Sequence, residues 1–390
     1  MQDHKIDTKT LSAKDFIVTE SKNTFNFMEA EKGVQETENQ RKVLEVFTSD
    51  EKGYKKSNAS EYITLTLKVG PTEGRYFYIS PETFTNRYPD IYKLDIKLVN
   101  NASVTSSGSS VSKFVIKPEM EKLYTSVDNF AFDQYTASDG TTYQYAFYNP
   151  TQKSETLIVW LHGLGEGGVK NTDSKMPLLG NEAAILGKEE FQNSIGGANI
   201  LVPQSPSFWM DKTGQDSLVE GRIISNGSSY YTKSLHELIA FYKEKTGSKK
   251  IIIAGCSNGG FMGMLLAKTY ATEYDGYVLI CEAMEDKFLT DEDIQTLKDL
   301  PLYFVYSKDD PLVVPQQYEE PTIQRLKLAG ATKLETVIFD SVVNLDGNIL
   351  DEEGKPYNFG GHSSWVYFFN NEVVNKDGQT IWEWISERVK

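Results

Sequence analysis

The chain has 390 residues, of which 39% are hydrophobic and 24% are charged, as is typical of globular proteins. Its formal net charge of −15 argues against nucleic acid or an anionic membrane as a partner, because their phosphate groups would repel it. The length suits two or three domains, and no apolar run approaches the length of a membrane span.

The first part of the chain predicts short β-strands. Polar and apolar residues alternate over residues 61–69 and again over 91–98, and shorter strands are predicted at 75–79 and 111–116. Gly, Pro, Asn and Ser residues separate these segments, which is typical of an all-β sandwich. We therefore predict a sandwich domain over residues 1–122.

The second part, over residues 123–390, has a different pattern and follows a polar linker predicted at 118–128. Seven mostly apolar segments predict buried strands: 143–148, 156–161, 198–203, 251–254, 277–280, 302–306 and 334–339. Residues 234–245 have their apolar side chains at helical spacing. Strands that alternate with helices indicate a doubly wound, mostly parallel α/β sheet.

The segment from Ile251 to Met262 carries a candidate nucleophile. An apolar β-branched run ends in Gly-x-Ser-x-Gly, and a helix-compatible segment follows. Such a strand–turn–helix exposes a serine hydroxyl at the end of a strand, where it can attack a carbonyl group. The five-residue pattern also fits an ordinary Gly-rich turn. The role of Ser257 therefore depends on its partners.

A serine nucleophile needs a base, which is usually histidine, and the chain has four. His4 lies at the terminus, His236 lies early in a predicted helix, and His162 directly follows a strand. His362 lies in an irregular segment after the last predicted strand, in Gly-Gly-His-Ser-Ser-Trp. By elimination, we predict that His362 is the base.

The third member is expected to be an acid after a strand between the serine and the histidine, because α/β-hydrolases use the order Ser, acid, His. Asp309 and Asp310 both follow the strand predicted at 302–306. We favour Asp310, which begins an Asp-Pro turn, and keep Asp309 as the alternative. The pair could also serve only as turn residues before Pro311.

Acyl transfer also needs donors for the developing oxyanion. We predict the backbone N–H groups of Asn258, which follows the serine, and of Leu164, in the glycine-rich turn after an early strand. His162 is expected to brace that turn. A phosphate-binding loop is the rival interpretation, but the segment lacks the Lys-Ser/Thr ending of such loops.

The sequence predicts no metal site, no cofactor and no disulfide. The four histidines are scattered, and the acidic stretches near residues 346–354 lack the spacing of a calcium loop. The only two cysteines, Cys256 and Cys281, are expected to be small buried hydrophobic residues.

Together these motifs resemble bacterial carboxylesterases of the α/β-hydrolase superfamily that carry an N-terminal immunoglobulin-like domain, a group related to feruloyl esterases and prolyl oligopeptidases. Six segments carry the resemblance: Tyr62 to Pro71, Leu161 to Glu166, Val202 to Trp209, Gly255 to Gly260, Asp310 to Val313 and Tyr357 to Trp365. The resemblance spans most of the chain, and Gly-His-Ser-Ser-Trp is its most specific part.

The resemblance implies hydrolysis of short acyl or aryl esters, with feruloyl esters of plant polymers among the candidates. It also implies that Gln204, Trp209 and Trp365 contact substrate, and that the N-terminal domain packs near the active-site mouth or favours homo-oligomers. Residues 1–5 show no signal-peptide h-region. We favour a secreted or cell-surface protein whose leader has been removed over a cytoplasmic one.

Two other functions compete with a carboxylesterase. A peptidase of the prolyl-oligopeptidase type has the same catalytic turn, but about 120 residues of sandwich cannot form the propeller that such enzymes usually carry. A carbohydrate-binding protein with an inert hydrolase domain would suit the aromatic-rich N-terminal half. A complete Ser, Asp and His set argues against that alternative.

Overall fold

The computed structural model describes residues 5–70, 73–75, 77–113, 122–169, 172–214, 225–351 and 353–390. The chain forms two compact units. The first comprises Met1–Pro81 and Asn86–Thr125, and the second comprises Glu82–Thr85 and Ser126–Lys390.

The first unit is built from short antiparallel strands. They are β1 (Phe16–Thr24), β2 (Gln35–Arg41), β3 (Val43–Ser49), β4 (Tyr62–Leu67), β5 (Tyr78–Ile79), β6 (Asn86–Arg87), β7 (Tyr92–Leu98), β8 (Val104–Ser106) and β9 (Ser109–Val111). Strands β2, β1 and β7 form one sheet in that order, while β3–β4, β5–β6 and β8–β9 form pairs. The all-β prediction is confirmed.

The predicted strands of this unit agree with the structure in part. Segments 61–69 and 91–98 correspond to β4 and β7. Of the strand predicted at 75–79 only Tyr78–Ile79 is extended, and residue 76 lies outside the described residues. Residues 114–116 and 118–121, which belong to another predicted strand and to the predicted linker, also lie outside them.

The sequence pattern does not predict β1, β2 and β3, nor the short strands β6 and β8, and it meets β9 only at Val111. Strand β2 reads Gln-Glu-Thr-Glu-Asn-Gln-Arg and is mostly exposed, so it has no apolar alternation to detect. Its last residue, Arg41, makes a buried ion pair with Glu20 on β1, with 2.7 Å between Nη1 and Oε1. Because each charge is neutralised by the other, this polar pair is tolerated in the interior of a small unit.

The second unit is a doubly wound α/β domain, as predicted. Its strands are β10 (Ala131–Thr136), β11 (Thr142–Tyr148), β12 (Thr156–Leu161), β13 (Asn199–Gln204), β14 (Lys250–Cys256), β15 (Gly276–Ile280), β16 (Leu302–Ser307) and β17 (Leu334–Phe339). They form one sheet in the order β10-β11-β13-β12-β14-β15-β16-β17. The pairings from β13 through β17 are parallel, and β10 and β11 are antiparallel to their neighbours.

All seven strands predicted for this unit are present, and only the edge strand β10 was missed. The helices are α1 (Met176–Gly180), α2 (Glu189–Ile195), α3 (Thr232–Thr246), α4 (Asn258–Thr269), α5 (Asp291–Leu297), α6 (Glu319–Leu328), α7 (Trp365–Phe369) and α8 (Ile381–Arg388). The helix predicted at 234–245 is α3. Among the described residues no helix combines the length and apolar character that crossing a bilayer requires.

Both faces of the large sheet are covered, which explains the uninterrupted apolar strands. In β12, Val159 packs into one hydrophobic cluster, whereas Ile158 and Trp160 pack into the other. This alternation follows from the two-residue period of a strand. Because the parallel strands all end at one edge, the loops that follow β12, β14, β15 and β16 meet there, where α/β sheets usually bind ligands.

Candidate active site

Ser257 occupies a strained turn between β14 and α4. Its backbone has φ 53° and ψ −116°, a conformation rarely adopted by residues other than glycine. The turn also needs Gly259, because a Cβ there would lie 1.9 Å from the carbonyl oxygen of Leu161. The hydroxyl-bearing residue is held at the end of its strand, as the sequence predicts.

His362 lies within hydrogen-bonding distance of both other predicted triad residues. Its Nδ1 is 2.8 Å from Oδ2 of Asp310, and its Nε2 is 3.0 Å from Oγ of Ser257. The carboxylate can only accept, so Nδ1–H donates to it, and the unprotonated Nε2 can accept the serine hydroxyl proton. This is the geometry that a general base and its orienting acid require.

Asp310, rather than the alternative Asp309, pairs with His362. The Asp310 side chain is fully shielded from solvent, and its Oδ1 accepts the N–H groups of Leu312 and Val313 at 2.8 and 3.0 Å. Oδ1 of Asp309 instead accepts the hydroxyl of Ser307. The Asp-Pro turn therefore leaves one carboxylate oxygen of Asp310 aimed at the histidine.

The loop that carries His362 packs directly against the acid loop. A Cβ at Gly361 would lie 2.1 Å from Oδ1 of Asp309 and 2.6 Å from the backbone nitrogen of Asp310. Only a glycine permits this approach. The Gly-Gly-His motif marks the histidine in the sequence, but the packing role of the glycine before it was not predicted.

His162 braces the glycine-rich loop after β12, as predicted. Its ring is completely buried, with Nε2 accepting the N–H of Ser205 at 2.9 Å and Nδ1 donating to the carbonyl of Gly163 at 2.6 Å. Burial lowers the pKa of His162 to about 4, with a smaller opposing effect from its bond to Gly163. Both ring nitrogens are thus engaged by the backbone and neither is available for proton transfer.

The two predicted oxyanion donors stand at the beginnings of helical turns. Asn258 is the first residue of α4, and Leu164 is the first residue of a 3-10 turn that ends at Glu166. N–H groups at such positions have no partner inside the helix and are free to bind an anion. The side chain of Asn258 also ties the start of α4 to the segment after β13, because its Oδ1 accepts the N–H of Trp209 at 2.6 Å.

Two of the three predicted substrate residues are placed differently by the structure. Trp209 has no solvent-exposed surface and packs beside His162, with ring centroids 5.1 Å apart. Gln204 is also buried, and its side chain bonds the carbonyl of Glu166 and the N–H of Asp173. Both therefore support the loop that holds Leu164 and present no surface to a substrate.

Trp365, the third predicted substrate residue, does lie beside the site. Its ring meets the His362 ring edge-on at 5.6 Å between centroids, and it is only partly buried. Of the other histidines, His4 lies outside the described residues. His236, near the start of α3, stacks on Tyr270 and bonds the hydroxyl of Tyr274.

Two buried acids next to the site were not anticipated. Glu282 follows β15 and Glu319 begins α6, and their residues are 0% and 1% exposed. Within the described part of the chain, one carboxyl oxygen of Glu282 and both of Glu319 have no hydrogen-bond partner. Burial raises the pKa of both carboxyls well above the usual range, and the charges of Glu282 and Asp310 raise that of Glu319 further.

The fold and the site define an α/β-hydrolase domain that is accompanied by an N-terminal immunoglobulin-like domain. The chain belongs to the phospholipase/carboxylesterase family, whose sequence model matches residues 144–344. The esterase Ig-like N-terminal domain family matches residues 2–113. These matches confirm the predicted family resemblance and identify the protein as an esterase that acts on carboxylic esters.

One solved structure agrees with this fold over nearly the whole chain. The structure of a thermostable esterase covers 98% of this chain and 92% of its own, with a TM-score of 0.73 at 20% identity. A ferulic acid esterase covers 66% of this chain and 98% of its own, with a TM-score of 0.45 at 12% identity. A carboxyl esterase from Bacillus coagulans covers 54% and 89%, with a TM-score of 0.38 at 13% identity. The search of curated proteins found no match to this chain.

Proposed function

We propose that the protein is a serine carboxylesterase that cleaves short acyl or aryl esters through an acyl-enzyme intermediate. The observation that carries the proposal is the continuous hydrogen-bonded chain from Ser257 through His362 to Asp310. Each residue type suits its role: a hydroxyl to attack, an imidazole to move the proton and a buried carboxylate to orient the ring.

The first half-reaction transfers the acyl group to the enzyme. Nε2 of His362 takes the hydroxyl proton of Ser257 as Oγ bonds to the ester carbonyl carbon, and the carbonyl oxygen becomes an oxyanion. The N–H groups of Leu164 and Asn258 stabilise that oxyanion. When the tetrahedral intermediate collapses, the carbon–oxygen bond to the alcohol breaks, and the alkoxide leaves with the proton from His362.

The second half-reaction releases the acid. His362 removes a proton from a water molecule, which attacks the acyl carbon and forms a second tetrahedral intermediate. The bond to Oγ of Ser257 then breaks, and the serine recovers its proton from Nε2. Asp310 stays ionised throughout and stabilises the imidazolium that appears in both steps.

An active-site labelling experiment tests the nucleophile. A fluorophosphonate probe is expected to modify Ser257 in the wild type and to leave Ser257→Ala unlabelled. That variant should lose about four to six orders of magnitude in kcat on p-nitrophenyl butyrate. Ser363→Ala is the matched control, because Ser363 neighbours His362 but donates its hydroxyl to the carbonyl of Phe359. Wild-type hydrolysis by Ser257→Ala would rule out this mechanism.

A substrate panel addresses the finer specificity. We expect hydrolysis of p-nitrophenyl esters to be fastest with short acyl chains, and methyl ferulate tests whether an aryl acyl group is accepted. The partly exposed ring of Trp365 beside His362 is the residue that we infer contacts the acyl group. Cleavage of a prolyl peptide together with inactivity on every ester would favour the peptidase alternative.

A further inference from the structure

A buried thiol lies close to the proposed acid and base. Cys281 follows β15, the strand between β14, which carries the serine, and β16, which precedes the acid. Its Sγ, a carboxylate oxygen of Asp310 and a ring nitrogen of His362 all lie within 4.8 Å of one another. The mechanism above makes no use of this thiol.

These three groups form the ligand set that zinc-like ions prefer. Zinc binds thiolate, imidazole and carboxylate ligands at about 2.0–2.3 Å in a tetrahedral arrangement. Ligand atoms around such an ion are therefore about 3.5 Å apart. The widest separation in the observed group must shorten by at most about 1.3 Å, whereas Nδ1 of His362 and Oδ2 of Asp310, which are 2.8 Å apart, must separate by about 0.7 Å if both bind the ion. A turn of the His362 ring and a small side-chain shift can supply these changes.

We propose that Cys281, Asp310 and His362 form an inhibitory site for divalent ions of the zinc and cadmium class. The consequence for catalysis is the same whichever ring nitrogen binds the ion. Nδ1 is bonded to Asp310 and Nε2 to Ser257, so an ion at either atom breaks the proton path. The inhibitory effect rests on the proposed function, whereas binding of the ion does not.

The chemistry of the thiol sets the conditions for binding. Burial raises the pKa of the Cys281 thiol well above its usual range, so without an ion the sulfur keeps its proton. An ion must displace that proton to gain a thiolate ligand. The reaction is therefore Cys–SH plus M²⁺ giving Cys–S–M⁺ plus H⁺.

Titration of hydrolysis with ZnCl2 and CdCl2 tests the proposal, with each variant compared with its own metal-free rate. Wild type is expected to lose activity and to regain it with EDTA. Cys281→Ala should need a concentration at least about ten times higher for half-inhibition. Cys281→Ser keeps the side-chain size and should give the same result, so it replaces the alanine variant if that variant misfolds. Cys256→Ala, which removes the other buried free thiol, should behave as wild type.

Binding is measured separately with Co²⁺ as a spectroscopic probe. Coordination by Cys281 should give a thiolate-to-cobalt charge-transfer band in wild type and in the inactive Ser257→Ala, but not in Cys281→Ser. A band in both enzymes without hydrolysis would overturn the proposed function but support the site. Equal half-inhibition in wild type and the Cys281 variants, or absence of the band in wild type, would overturn the site itself.

Discussion

Gly361→Ala tests whether the fit between two loops sets the alignment of the proposed triad. The added Cβ would lie 2.6 Å from the backbone carbon of Asp309 and 2.6 Å from the nitrogen of Asp310, which are backbone atoms that cannot rotate away. Restoring ordinary contact requires the loops to separate by about 1 Å. His362, the next residue, carries that displacement into its bonds of 2.8 and 3.0 Å.

A misplacement of this size is expected to lower kcat by about 100-fold. Overpacking should cost about 1–3 kcal/mol in the free energy of unfolding. Steady-state kinetics on p-nitrophenyl butyrate and urea unfolding measure the two effects separately. Gly347→Ala is the control, because a Cβ there meets no atom within 4 Å, although its φ of +65° adds some strain. The reasoning fails if Gly361→Ala keeps wild-type kcat, or if an unfolded fraction accounts for the whole loss.

Three further predictions concern charge and proton binding. His162→Gln should flatten the pH dependence of stability between pH 6.5 and 4. A histidine whose folded-state pKa is about 4 lowers the free energy of unfolding by about 3 kcal/mol as the pH falls through that window. If urea unfolding gives the variant the same dependence of this free energy on pH as the wild type, the prediction is wrong. Glu319 binds its proton more tightly when folded, so it lowers stability as the pH rises above 4.5. Glu319→Gln should remove that decline in a series of melting curves, whereas Glu320→Gln should not. Asp310→Asn should reduce kcat by about 10⁴-fold through the wrong imidazole tautomer, and a comparable loss in Asp309→Asn would reverse the assignment of the acid.

The sequence predicted most of the catalytic unit because its strands are buried on both faces. The residues of a segment such as Thr156–Leu161 are all buried, and the helix predicted at 234–245 follows the helical period. The edge strand β10 was missed because most of its residues are exposed, so its sequence has no continuous apolar run. The same reason explains the missed strand β2 in the first unit.

For the site, the sequence predicted the residues of the proposed triad but not the residues that support them. Ser257 and His362 could be recognised because a motif and the scarcity of histidine mark them. Gln204 and Trp209 were misplaced because a family motif does not show whether its side chains face the substrate or the loop behind it. Glu282 and Glu319 gave no signal, since acidic residues near a turn or a helix start are usually exposed.

The distribution of the proposed triad along the chain has a consequence for folding. Ser257 and His362 are 105 residues apart, and Asp310 and His362 are 52 residues apart. Each pairing closes a long loop, which costs entropy that only the packed sheet can offset. An intermediate that has formed β12 to β15 alone would contain the nucleophile without its base. Hydrolytic activity during refolding should therefore return with the last tertiary contacts, later than the recovery of secondary structure.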